Sequence, residues 1–116
     1  MNGEKCNGWA NYPTWNVNLW LTNEQWSDSW CSEAARDAVD DAEGDRDDAV
    51  SDLARRLKDM VETPIDDGGM MPKVEGFAAD LLGSAMSEVD WHEIAEHMVE
   101  EPLDEYAEEH KEEVAS

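Results

Sequence analysis

The chain has 116 residues, of which 30 are acidic and 8 are basic, so its formal net charge at pH 7 is -22. The length fits one domain, and the acidity argues against direct binding of nucleic acid or anionic membranes, because both would be repelled. Apolar residues make up 41% of the chain and include six Trp, which excludes a wholly disordered protein because a core can form.

The compartment is predicted from what the chain lacks. Residues 1–8 are polar and do not resemble a secretory signal peptide, and no apolar run approaches the ~18 residues of a membrane helix. We therefore expect a cytoplasmic protein. Its two cysteines, Cys6 and Cys31, are expected to be reduced there, with a disulfide between them as the alternative.

The first third of the chain contains five of the six Trp residues and predicts one helix. The turn at residues 11–13 leads to Thr14, which has the chemistry of a helix N-cap. Apolar side chains alternate from Trp15 to Leu21, which is typical of a strand, but no partner strand follows to satisfy its backbone. A helix is favoured, with a short strand near the N-terminus as the alternative. We assign to the core Trp15, Trp26, Trp30 and Trp91, and leave Trp9 and Trp20 open to a partner.

Two helices are predicted next along the chain. The first runs from about residue 24 or 27 to residue 43 and ends at Gly44. Asp45 then caps a helix that extends to Glu62, in which Asp52 can pair with Arg55 and Arg56 one turn away. The apolar face of this helix consists of Val50, Leu53, Leu57, Met60 and Val61.

The second half of the chain predicts a loop and two further helices. Residues 65–72 are rich in Asp, Gly and Pro, which is typical of a loop. The helix predicted at residues 74–86 has an inward face of Val74, Phe77, Ala78, Leu81, Leu82 and Ala85. Asp90 and Glu93 indicate the start of the last helix, and Pro102 predicts that it breaks or restarts there. The last helix has an apolar stripe of Trp91, Ile94, Ala95, Met98 and Val99.

These elements together predict a mainly α fold. We expect a compact, single-domain bundle of about four to five helices over residues 1–107, because apolar residues recur at helical spacing throughout. Residues 108–116 carry few apolar side chains and are expected to form a frayed tail.

Motifs for catalysis or for cofactors do not stand out. His92 and His97 are five residues apart, whereas a zinc-protease helix places its two His four apart on one face. Asp41, Glu43 and Asp45 alternate as in a calcium loop, but Arg46 replaces the required Gly. Phosphate-binding and dinucleotide glycine motifs and nucleophile elbows are absent from the sequence. We expect a protein that is not an enzyme and uses no metal or cofactor.

The acidic residues are concentrated at 37–52 and at 88–113. On the last helix, acids recur on one side with a rise of ~4.5 to 6 Å between neighbours, comparable with the ~3.4 Å spacing of phosphates along a DNA strand. A basic groove built for DNA could accept such a face. The predicted partner-binding residues are Asp40, Asp41, Asp45, Asp47, Asp48, Glu93, Glu96, Glu100, Asp104 and Glu108.

Two segments resemble known sequences. The stretch Asn-Tyr-Pro-Thr-Trp-Asn-Val-Asn-Leu-Trp-Leu at residues 11–21 resembles the opening of a group of small proteins from phages, plasmids and other mobile elements. The stretch Glu-Val-Asp-Trp-His-Glu-Ile-Ala-Glu at residues 88–96 resembles that group's closing motif. The group has no assigned activity to carry over, so the resemblance implies a mobile-element context. By charge, the chain is also similar to acidic DNA mimics among anti-CRISPR and anti-restriction proteins.

The leading functional hypothesis is a phage-encoded inhibitor of a host DNA-binding defence complex, with a CRISPR effector as the first choice. It would act in the host cytoplasm by occupying a basic DNA channel. One alternative is a mobile-element accessory or regulatory protein that binds another basic partner. The other is a salt-adapted protein whose acidity has no binding role. Self-repulsion of the charge favours a monomer, with a dimer as the alternative.

Overall fold

In the computed structural model, which describes residues 8–110, five α-helices form most of the chain. They are α1 (Tyr12–Asn23), α2 (Gln25–Asp41), α3 (Arg46–Glu62), α4 (Gly76–Ser87) and α5 (Trp91–Glu109), with a short 3-10 turn at Ile65–Asp67. No run of residues within 8–110 forms a β-strand; the pairing of Pro64 with Met71 is an isolated bridge. The mainly α fold is therefore confirmed, and the stretch from Trp15 to Leu21 is helical.

The core lies where α2, α3 and α5 pack against one another, with α1 laid across α2 and α5. Leu53, Leu57 and Ile94 are fully excluded from solvent at its centre, and each such side chain contributes roughly 1.5–3 kcal/mol by burial. The faces predicted for α3 and α5 are inward, although Met60 and Met98 are only half-buried. The face of α2 toward the core is made of small side chains, which allow close helix packing: Ser27, Cys31, Ala34, Ala35 and Ala38.

Local signals set the starts of α3 and α5 as predicted, whereas α2 ends at Asp41, two residues before the predicted end, and Glu43 with a φ of +52° takes the first left-handed position after it. Asp45 caps α3 and Asp90 caps α5, each accepting a hydrogen bond at 3.0 Å from the backbone N–H three residues on. Gly44 has a φ of +82°, and a Cβ there would lie 2.8 Å from the Tyr106 ring. The turn between α2 and α3 therefore rests on the C-terminal part of α5.

The start of α1 differs from the prediction, because Asn11 is the cap and Thr14 is not. The Asn11 carboxamide oxygen accepts from the Thr14 backbone N–H at 2.9 Å and from its hydroxyl at 2.7 Å. Thr14 is fully buried, and its Oγ1 accepts a hydrogen bond from the backbone N–H of Asp90 at 2.8 Å. The Asn11 amide donates to the carbonyl of Glu88 at 2.8 Å. The last two of these four bonds join the start of α1 to the start of α5.

The predicted break at Pro102 is wrong, because α5 continues through it as one helix. Pro removes one backbone donor, but Val99, Leu103 and Tyr106 pack against the core on both sides of it. This packing outweighs the local preference. The helix ends at Glu109, so residues 108 and 109 belong to it, and residues 111–116 of the predicted tail lie outside the described range.

The helix predicted at residues 74–86 exists as α4, but its predicted inward face is wrong. None of its residues is buried; Phe77 is 79% exposed and Leu81 is 56% exposed, and Val74 just before the helix is also exposed. Met86, near the end of α4, packs against the core. The physical reason is that α1, α2, α3 and α5 already close the core, which leaves α4 outside it.

The Trp residues divide between core and surface in a way that only partly matches the prediction. Trp91 is buried, and Trp9, Trp15 and Trp30 are half-buried. Trp26, which we assigned to the core, is 52% exposed. Ser27 takes the inward position instead, and its hydroxyl donates to the Leu21 carbonyl at 2.9 Å.

Replacement of Thr14 by Val should destabilise the fold while keeping the shape of the side chain. The partly buried Asp90 N–H would lose its acceptor and the Asn11 carboxamide oxygen would lose the Thr14 hydroxyl as donor, so we expect the free energy of unfolding to fall by about 1–3 kcal/mol. Urea denaturation followed by far-UV circular dichroism measures this. Thr22→Val is the matched control, because the Thr22 hydroxyl is exposed and bonds only to carbonyls of its own helix. An equal effect of the two changes would show that the Thr14–Asp90 bond does not hold the helices together.

Candidate protein-binding surface

The first group of predicted contact residues surrounds the turn between α2 and α3. Asp40 and Asp41 lie in the last turn of α2, Asp45 caps α3, and Asp47 and Asp48 lie in its first turn. All five are exposed. Because Gly44 rests on Tyr106, this turn lies beside the last turns of α5.

Acidic side chains of α2 and α5 come close together around a shallow hollow of about 80 Å³ between these two helices. Asp40 lines it from α2, and Glu105 and Glu109 line it from α5. We call this region the acidic end, defined by the residues Asp40, Asp41, Asp45, Asp47, Asp48, Glu105 and Glu109.

The second group lies along α5. Four of its predicted members are exposed on one side of the helix, opposite its buried face, and we call them the acidic stripe: Glu96, Glu100, Asp104 and Glu108. Over these residues the helix rises ~18 Å. Glu93, the fifth predicted member, is different. It is half-buried and its Oε1 accepts a hydrogen bond from the Ala10 backbone N–H at 2.8 Å, so it holds the N-terminal segment and is not part of the stripe.

Basic side chains neutralise little of this surface. Arg56 pairs with Asp41 at 2.7 Å and with Asp52 at 2.9 Å, and Arg55 also pairs with Asp52. Hydrogen bonding to Asp52 raises the pKa of Arg56. Among residues 8–110, no ion pair involves the acidic stripe, and Asp41 is the only member of the acidic end that has one.

The acids at the C-terminal ends of α2 and α5 do not stabilise the helices that carry them. Carboxylates at the C-terminal end of a helix oppose its dipole, at a cost of about 0.3–1 kcal/mol each. Asp40 and Asp41 end α2, and Glu108 and Glu109 end α5, with no basic residue in the last turn of either helix. Asp47 and Asp48 are favourably placed at the start of α3. Helix stability therefore does not explain the acids at the ends of α2 and α5.

A groove of about 330 Å³ lies between α2 and α5. Asp28, Glu101 and Glu105 line it, together with the buried thiol of Cys31. Desolvation by burial, with a smaller contribution from Asp28, raises the pKa of Cys31 to about 12. The thiol therefore stays protonated at neutral pH and lacks the thiolate of a cysteine nucleophile. Cys6, its predicted disulfide alternative, lies outside the described residues.

The two His residues of the last helix have separate surroundings. His92 is exposed, and the ring of His97 lies against Trp9 with centroids 4.4 Å apart. Across residues 8–110, no three His, Cys, Asp or Glu side chains are grouped so as to hold a metal ion. The same range contains no helix with the length and apolar character needed to cross a membrane.

An exposed aromatic surface at the junction of α1 and α2 was only partly foreseen. Leu19 and Trp20 near the end of α1 and Trp26 at the start of α2 are each exposed, Trp20 to 55%, and we call these three residues the aromatic corner. The sequence contains a pattern that indicates the exposure of Trp26, because the small residues Ser27, Cys31, Ala35 and Ala38 recur at helical spacing. They mark the face of α2 that can approach another helix closely, and Trp26 lies beside that face.

Two charge-reversing substitutions should distinguish the effect of the helix dipole on stability from the effect of general charge repulsion. Glu108→Lys and Asp47→Lys change the net charge equally, but the first removes an acid from a helix C-terminus and the second from an N-terminus. We expect Glu108→Lys to raise the free energy of unfolding by about 0.3–1 kcal/mol more than Asp47→Lys. Urea denaturation at low salt measures the difference, which should shrink in molar NaCl. Equal shifts would mean that only net charge matters.

Comparison with known proteins gives a family but no described activity. A search of the curated proteins found no match, and a search of the solved structures found none either. The sequence model of one family of unknown function, DUF7249, matches residues 2–113. Since this match covers nearly the whole chain, the protein belongs to the DUF7249 family.

Proposed function

We propose that this protein binds a basic, nucleic-acid-binding partner protein and occupies the groove in which the partner would hold DNA. The acidic stripe carries the proposal, because its four exposed carboxylates have no basic partner within the described residues. The stripe ends at Glu108, which is next in sequence to Glu109 of the acidic end.

The spacing of the charges supports DNA mimicry. Each four-residue step along α5 rises ~6 Å, which is less than two phosphate steps of ~3.4 Å along one DNA strand. The uninterrupted course of α5 through Pro102 keeps the stripe on one helix. A groove lined with Arg and Lys would gain charge pairing along its length, with a fast association that weakens as salt rises.

The proposed partner class is a host defence complex that binds DNA, with a CRISPR effector as the first to test. The resemblance of residues 11–21 and 88–96 to mobile-element proteins supports this choice, and the acidic surface supports the DNA channel as the site. The protein would then act in the host cytoplasm as an inhibitor without catalysis.

A second candidate is an accessory protein of a mobile element that docks mainly through the aromatic corner. The exposure of Trp20 and Trp26 favours it, because large aromatic side chains at a surface are frequent anchors of protein interfaces. Such binding would depend on apolar contact and would change little with salt.

Neutralising the acidic stripe should weaken partner binding. The stripe variant combines Glu96→Gln, Glu100→Gln, Asp104→Asn and Glu108→Gln. We expect roughly a tenfold or greater loss of affinity, because each exposed charge pair contributes up to about 1 kcal/mol. The partner is first captured from nuclease-treated host lysate over a salt series, and its affinity for each variant is then measured by fluorescence anisotropy, with duplex DNA as competitor.

The matched control removes the same charge from elsewhere on the surface. Its four changes fall at exposed residues on α2, α3 and around α4: Glu33→Gln, Asp59→Asn, Glu75→Gln and Asp80→Asn. Equal weakening by the control would mean that only net charge acts. A complex that leaves the DNA affinity of the partner unchanged would reject mimicry. Loss of binding on Trp20→Ala, with little salt dependence, would favour the aromatic corner. Folding that collapses at low salt and recovers at molar salt would favour salt adaptation.

A further inference from the structure

The helix α4 lacks the packing that a short helix needs. It has 12 residues and contributes no buried residue, whereas each of the other four α-helices contributes at least two. Isolated helices of this length are marginal in water, and in proteins most of their stability comes from packing. The sequence of α4 is nevertheless largely apolar, so its outer face is expected to pack against something.

The two long sides of α4 have different surroundings. Ala79, Leu82 and Met86 are half-buried on the side toward the bundle, where Met86 packs against the core. Phe77 and Leu81 lie one turn apart on the outer side, and they are among the most exposed large apolar residues in the described part of the chain. The outer side is therefore an apolar stripe without a partner in this fold.

The rest of the chain does not supply enough apolar surface to cover this stripe. The residues outside the described range are Met-Asn-Gly-Glu-Lys-Cys-Asn at 1–7 and Lys-Glu-Glu-Val-Ala-Ser at 111–116. Both segments are mainly polar, and neither has the spaced apolar residues that would pack along a helix. These two segments therefore do not suit the stripe as its occupant.

We propose that the occupant is α4 of a second copy, packed antiparallel to the first to form a homodimer. The distribution of charge makes a second copy compatible with a net charge of -22, because residues 72–87 contain only three charged side chains, Lys73, Glu75 and Asp80. The acidic end surrounds the start of α3, whereas α4 comes after the end of that helix, with residues 63–75 between the two. Charges farther apart than the Debye length of ~8 Å at physiological salt are largely screened, so the small number of charges around α4 limits the repulsion at this surface.

The sequence of α4 suits this antiparallel arrangement. If the two helices cross at Leu81, Phe77 of one copy lies opposite Ala85 of the other, so that a large side chain meets a small one. In an antiparallel pair, Lys73 just before α4 of one copy and Glu88 just after α4 of the other lie toward the same end of the pair, and the side chain of Lys73 is 89% exposed. A two-fold axis gives each of these contacts twice. The only ion pair of Lys73 within the described residues is a loose one to Asp66, at 3.4 Å.

The size of the surface indicates a weak dimer. A 12-residue helix is ~18 Å long, and one helix face of that length lies at the low end of specific interfaces. We therefore expect association in roughly the micromolar range. Because it needs no other molecule, this association is independent of the proposed binding to a basic partner.

Analytical ultracentrifugation of the purified protein over a concentration series tests the proposal. In ~0.15 M salt, where exposed charges are screened beyond ~8 Å, we expect the weight-average mass to rise toward twice the 13.1 kDa of the chain. Leu81→Glu should remove this rise, because it places charge at the crossing point. Leu19→Glu is the matched control, since Leu19 is also an exposed leucine on a helix surface, and it should associate as the unchanged protein does. Circular dichroism checks that both variants are folded.

A charge exchange tests the register. Lys73→Glu should weaken association several-fold, and adding Glu88→Lys to it should restore most of the loss. A mass of one chain at every concentration would overturn the dimer, and equal loss in the two leucine variants would overturn its location at α4. Failure of the double exchange to restore association would overturn the antiparallel register.

Discussion

The buried hydroxyl of Thr14 connects the two ends of the described chain, and the arrangement of the other helices depends on that connection. Its hydrogen bond with the Asp90 N–H, beside the bond from Asn11 to the Glu88 carbonyl, holds the start of α1 at the start of α5. Both bonds join uncharged groups, so repulsion among the many carboxylates of the chain does not weaken them. The segments at residues 11–21 and 88–96 therefore meet in space as one structural unit.

The charge of the protein is carried outside a small core made of closely packed helices. Small residues on α2 let α3 and α5 approach, and the fully buried Leu53, Leu57 and Ile94 fill the space between them. Most acids remain exposed, and only a few are paired with the scarce Arg and Lys residues. Carboxylates at the C-terminal ends of α2 and α5 oppose the helix dipoles and lower stability. A binding role for the acidic surface would explain why acids are present there despite this cost.

The acidic end and α4 are separate surfaces, and they favour different kinds of contact. The acidic end and stripe suit a basic groove, with binding that depends on salt, whereas the outer face of α4 suits apolar packing with little charge. The two surfaces share no residue, so neither contact uses the residues of the other. A dimer through α4 would present two acidic surfaces, and a partner with two basic sites would then bind them with a higher effective concentration than one chain offers.

Periodicity and capping chemistry in the sequence indicated about four to five helices and determined the starts of α3 and α5, because Asp45 and Asp90 act on their immediate neighbours. They also determined the inward faces of α3 and α5, whose apolar residues recur at helical spacing. Only the tertiary structure decided that Asn11 and not Thr14 caps α1, since the role of Thr14 comes from a contact 76 residues away. It also decided that α5 passes through Pro102 and that the apolar side of α4 stays outside. A local pattern shows which residues share a face, but the partner of that face depends on how the other helices close the core.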